Sequence, residues 1–199
     1  MTSFQLLAKP WPVNLLAAIP VVAWLWFRKK KLELGRKQLA VAGLFGTAFG
    51  FVEAAVVIDL RTVLGLLGGP TGKLPGGEGQ LLNATPVLQS LDHLTRHLLA
   101  VEIFREAATM VMLLSIAWLV GRRAKEKVAV FLWAFAFWDL FYYVWFRVAA
   151  GWPQSLLTPD VLFLIPVPWL SQVWFPVTVS SLTILAIWFS PREKRTSNP

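Results

Sequence analysis

Residues 38–58 read QLAVAGLFGTAFGFVEAAVVI, with Glu53 as the only charge and charged residues on both sides, Arg36 and Lys37 before and Asp59 and Arg61 after. A helix rises about 1.5 Å per residue, so this stretch covers about 31 Å, close to the thickness of a bilayer's hydrocarbon core. A membrane-crossing helix is the reading it dictates. The chain around it repeats the pattern, with further apolar stretches at about 11–27, 98–120, 128–150 and 172–190. The first is short, covering about 25 Å if α-helical, and it carries Pro20 at its middle. Its positive charges follow it, from Arg28 to Lys31, which is the wrong side for a cleaved signal peptide.

Composition agrees. Of 199 residues 56% are apolar and only 15% charged, and the mean hydropathy is +0.59. An average soluble domain carries roughly 25% charged residues. The segments between apolar stretches leave little room for a soluble domain, so residues 1–199 are expected to form a single membrane domain. The net charge of +8 is not read as a nucleic-acid signal. Most of it sits in short blocks beside apolar segments, as topology signals do. The absence of Cys excludes disulfides, thiolate metal sites and thiol nucleophiles.

Those blocks set an orientation. Arg28, Lys29, Lys30, Lys31, Arg36 and Lys37 follow the first stretch; Arg122, Arg123, Lys125 and Lys127 separate the third from the fourth; Arg192, Lys194 and Arg195 end the chain. All three fall on one side of an alternating five-span chain. Only Lys9, Arg61, Lys73 and Arg96 fall on the other. The positive-inside rule then places the N-terminus outside and the C-terminus in the cytoplasm of a multi-pass protein of the cell inner (plasma) membrane. Most tryptophans fall near span ends, as interface anchors do.

The outer loops are residues 59–97 and 151–171. The first opens with a Gly-rich stretch and closes with an expected amphipathic helix capped at Thr85-Pro86, with Leu88, Leu91, Leu94 and Leu98 along one stripe. The second leads into Val161 to Ser190, which is too long for one straight span and holds Pro166, Pro168 and Pro176. A Pro-broken re-entrant or interfacial segment before the last span is the expected arrangement. The fold class is therefore an all-α integral membrane protein with about five transmembrane helices.

Function is less legible. There is no Gly-x-Ser-x-Gly, phosphate loop or dinucleotide fingerprint. The distinctive feature is the set of ionisable groups inside the spans, each costing roughly 2.5–3.5 kcal/mol near mid-bilayer on insertion scales and so needing a partner or a function. Helical spacing puts Glu102, Arg105, Glu106 and Thr109 on one face of the third span, and Asp139, Tyr142, Tyr143 and Phe146 on one face of the fourth. On the second span Glu53 shares a face with Gly46 and Gly50, a small-xxx-small spacing that lets another helix approach closely. A shared interior lined by Glu53, Glu102, Arg105, Glu106, Asp139, Tyr142 and Tyr143 follows. It is expected to open outward, with Asp59, Arg61, Arg147 and Asp160 as its rim.

Three functions fit this pattern. The acidic interior binds a cation, a proton or a polar ligand, the chain acting as an accessory subunit of a membrane complex. Alternatively, it is a metal-dependent membrane enzyme using the same carboxylates, or a structural subunit whose charges neutralise one another. Four carboxylates against one or two arginines leave a surplus of acid, so at least one is expected to be protonated, to pair with a cation or to bind a metal. The candidates for a divalent metal are Glu53, Glu102, Glu106 and Asp139, with His93 and His97 one helical turn apart. The Glu-x-x-His pattern of carboxylate-bridged bundles is missing, and no metal is assigned. The expected partners are the lipid bilayer and other membrane subunits, not nucleic acid.

Overall fold

Four helices in a computed structural model of the chain are long and apolar enough to cross a membrane, as expected of a multi-pass membrane protein. The structure describes residues 4–29, 31–63 and 96–192. The expected amphipathic helix of the first outer loop lies outside them, as do the Gly-rich stretch, His93 and Lys30. Of His97 only the backbone is described.

The first of these span-length helices combines a 3-10 helix, η1 (Trp11–Ala18), with α1 (Ile19–Lys29). This removes the length problem. A 3-10 helix rises about 2.0 Å per residue, so the two pieces reach about 32 Å where an α-helix would fall short. Asn14 ties η1 to the preceding segment, its side chain bonding Ala8 in both directions at 2.9 Å and the Trp11 carbonyl at 2.8 Å. Next come α2 (Arg36–Val63), α3 (Arg96–Val120) and α4 (Ala124–Ala150). Helix α4 stops at Gly151, whose φ of 69° is left-handed and whose N–H caps onto the Arg147 carbonyl.

The all-α expectation needs correction, and of the five expected spans four have span length. The Pro-broken segment before the last helix is not part of an all-α chain. It contains an antiparallel hairpin, β1 (Pro159–Phe163) and β2 (Trp169–Gln172), with a bulge between Val161 and Phe163. Pro166 and Pro168 occupy its turn, where no ladder hydrogen bond is lost. Lys9 bonds both ways with Leu170, so the N-terminal segment covers the outer edge of β2. The last helix, α5 (Trp174–Trp188), has only 15 residues and covers about 22 Å, less than a full hydrocarbon core. It does not belong with the four span-length helices.

Helices α2 and α4 form the tightest pair, because glycine lets them. A Cβ on Gly46 would stand 2.5 Å from the Ala134 carbonyl oxygen, and one on Gly50 would stand 2.8 Å from that of Trp138. Backbone therefore packs on backbone where the small-xxx-small spacing predicted it. Below this contact the interior is plain apolar packing, with Phe27, Leu39, Ala117, Val130, Trp133 and Ile187 buried together. Apolar side chains such as Leu44, Phe51, Phe104, Leu119 and Val148 face outward instead. That inversion suits a bundle whose solvent is hydrocarbon.

The ends of the bundle differ in charge. At one, Glu33 pairs with Arg123, Lys125 reaches the Lys31 carbonyl and Leu32 donates to the Pro191 carbonyl, bringing the three basic blocks together. The other end holds the hairpin and nearly all the buried acids.

Candidate functional site

Arg105 lies at the centre of the site. From α3 it pairs with Glu53 on α2 and, at 2.8 Å, with Glu102 one turn back on its own helix. Thr109, one turn further on, donates its hydroxyl to Glu53 as well as to the Arg105 carbonyl. Glu53 is thus held by a charged and a neutral donor, both from α3. Helical spacing puts Glu102, Arg105, Glu106 and Thr109 on one face, but it does not single out Glu53 as the partner across the bundle.

Glu106 turns elsewhere. Its carboxylate accepts the backbone N–H of Leu164, at 3.1 and 2.9 Å from its two oxygens, so the hairpin turn seats on α3. Asp139 accepts the Ser180 hydroxyl at 2.7 Å, which joins α4 to α5. Neither residue makes an ion pair among the described residues.

The expected rim divides three ways. Asp160 is buried, 3% exposed, and accepts both Arg61 at 2.8 Å and the Tyr143 hydroxyl at 3.0 Å. The Arg61 guanidinium also lies 4.1 Å from the Trp152 ring centroid and 4.9 Å from that of Phe146. Burial pushes the Asp160 carboxyl above its ordinary range, while the Arg61 charge and the Tyr143 hydroxyl draw it back down. Arg61 and Asp160 are therefore interior groups. Asp59 is exposed on α2. Arg147 is exposed and turns to the Gly151 and Pro153 carbonyls, closing the end of α4. Tyr142 packs edge-on against Tyr143 and Phe146.

Five buried or half-buried carboxylates (Glu53, Glu102, Glu106, Asp139 and Asp160) thus gather at one end with two guanidiniums, Arg61 and Arg105. No group of three or more His, Asp or Glu able to hold a metal ion forms among the described residues. Glu53 and Glu102 share Arg105, while Glu106 and Asp139 bond to the hairpin backbone and to Ser180.

Ser180 was missed because a serine on an apolar helix ordinarily bonds back to its own i−4 carbonyl and signals nothing. The hairpin did leave a trace. Two short runs, VLFL and WLSQ, flank a Pro-x-Pro turn at the length expected of paired strands. Comparison with family models, curated proteins and solved structures finds no match to this chain.

Proposed function

We propose that the chain is a polytopic inner-membrane protein whose acidic interior binds a proton or a small cation reaching it from outside, as an accessory subunit of a membrane complex. The observation that carries this is the choice of partners made by Glu106 and by Asp139, Leu164 and Ser180 respectively. Each is a carboxylate inside the bundle whose hydrogen bonds come only from neutral donors, a backbone N–H and a serine hydroxyl. The neighbouring Arg105 charge offsets part of that of Glu106, whereas Asp139 has no cation among the described residues acting on it, so a proton or cation supplies the balance there.

The orientation, N-terminus outside and C-terminus in the cytoplasm, is supported by the gathering of the basic blocks at the end opposite the acids. Helix α5 makes the fifth crossing in this reading, with the hairpin filling the outer part of its path. A structural network alone would favour one counter-charge per acid. The ratio of five carboxylates to two guanidiniums runs against that.

Thermal unfolding of the purified protein tests the proposal, followed across pH 5–8 and with sodium, calcium or choline as the only added cation. The wild type is expected to gain several degrees on acidification or with one of the small cations. The Glu106→Gln/Asp139→Asn double variant should lose that response while still folding. An identical response in both proteins would overturn the reading.

A further inference from the structure

The basic end carries a second cluster that the acidic interior does not use. Arg36 opens α2, and Arg192 follows α5. Their guanidiniums lie 5.7 and 5.2 Å from the ring centroid of Trp188 at the end of α5. Two like charges are thus gathered on one tryptophan, and among the described residues neither meets a carboxylate. Arg192 donates one Nη to the Trp188 carbonyl at 3.3 Å, yet its buried Nε has no hydrogen-bond partner among the described residues. Desolvation and then the Arg36 charge press the Arg192 guanidinium below its usual pKa.

The setting adds to the same sign of field. Arg36 sits at the N-terminus of α2, where the helix dipole is already positive, and the first turn contains no acidic residue to offset it. The Trp188 ring stacks with that of Trp133, centroids 6.1 Å apart, and the Trp133 indole N–H is bonded to the Leu39 carbonyl at 2.8 Å. Arginine pairs held on a rigid aromatic suit a phosphate, whose oxygens accept two parallel N–H bonds.

Depth and the apolar surroundings select the kind of phosphate. The cluster lies where apolar helices meet the basic blocks, which is headgroup level for a membrane protein. Leu182, Leu185 and Phe189 are exposed at three- and four-residue spacing, a strip running from the cluster along α5 beside Trp188. We propose that Arg36 and Arg192, gathered on Trp188, hold the phosphate of an anionic phospholipid whose acyl chain lies along this strip of α5. The inference rests on the membrane-embedded reading but not on the acidic interior.

Native mass spectrometry of the full chain, released from detergent after titration with phosphatidylglycerol, phosphatidylcholine or inorganic phosphate, tests it. The wild type is expected to retain one phosphatidylglycerol in preference to phosphatidylcholine. Arg36→Gln/Arg192→Gln should weaken that binding about tenfold or more, equivalent to losing about 1.4 kcal/mol. The Lys pair R36K/R192K should recover part of it. Arg28→Gln/Lys29→Gln, with the same loss of charge, should bind like the wild type, as should E106Q/D139N. Equal weakening in the Arg28/Lys29 control would overturn the site, and so would displacement of the lipid by millimolar inorganic phosphate. Failure of the protein to remain with membranes after alkaline extraction would overturn it together with the membrane reading.

Discussion

The Glu106 carboxylate on α3 accepts the backbone N–H of Leu164 at the turn of the hairpin, 2.9 Å from one oxygen and 3.1 Å from the other. An acid placed by helical spacing on an apolar, span-length helix thereby holds the β1–β2 hairpin. The bond joins an acid that makes no ion pair among the described residues to the turn of the hairpin. Charge at Glu106 and position of the hairpin are consequently coupled.

That coupling is testable by amide exchange. Glu106→Ala removes both acceptor oxygens and should destabilise closure of the hairpin turn by about 1–3 kcal/mol, the cost of an unpaired buried donor. Glu106→Gln keeps one acceptor oxygen and should cost less. Hydrogen–deuterium exchange at residues 162–166 should rise in the alanine variant and much less in the glutamine one. Equal protection in all three proteins would remove the latch.

Arg105 bridges two acids, so its loss should be felt at both. Arg105→Ala strips the cation from Glu53 and Glu102 and is expected to cost about 3–5 kcal/mol, the range for an orphaned buried charge. Replacing Arg105 by Met together with Glu53→Gln and Glu102→Gln should recover much of the loss, because no uncompensated charge remains. Urea or SDS unfolding in mixed micelles measures both. A single variant no less stable than the triple one would contradict the pairing.

Steric distances at the α2–α4 contact rank the glycines. Gly46→Ala puts a Cβ 2.5 Å from the Ala134 carbonyl oxygen, with backbone that cannot give way, whereas Gly43→Ala meets the Trp133 indole nitrogen at 3.1 Å. Overpacking should cost about 1–3 kcal/mol at Gly46 and distinctly less at Gly43. Thermal melts of the two variants give the order, and a Gly43 variant less stable than Gly46→Ala would refute it.

How far the sequence carried follows from what periodicity can encode. Helix faces repeat every 3.6 residues, so the shared face of Glu102, Arg105 and Thr109 and the close approach at Gly46 and Gly50 were readable from spacing, whereas Glu53 as the partner of Arg105 was not. Long-range returns are not encoded that way. Asp160 and Arg61 were read as rim because both sit near loops, yet the hairpin folds Asp160 back against Tyr143 and buries it. Arg147 lies on α4 only four residues from Asp139's tyrosine neighbour Tyr143, but a glycine stop at 151 draws its side chain to the chain end. The length of the first span-length helix escaped prediction for a local reason, since 3-10 winding over Trp11–Ala18 changes the rise per residue without changing the apolar pattern.

The Asp139–Ser180 bond attaches a helix too short to be anchored by its own length. Helix α5 has 15 residues, and Ser180 lies near its middle, 2.7 Å from a carboxylate on α4. Ser180→Ala removes the donor and leaves Asp139 without its side-chain partner; a hydrogen bond to a charged acceptor is worth about 1.5–3 kcal/mol. Asp139→Ala removes the acceptor and should cost a comparable amount. Because the two side chains act on each other, the double variant should cost clearly less than both losses combined, with a coupling of about 1–2 kcal/mol in a double-mutant cycle. Strict additivity of the two losses would mean that α5 is held by apolar packing alone. The acid on α4 would then be free for the proton or cation without help from Ser180.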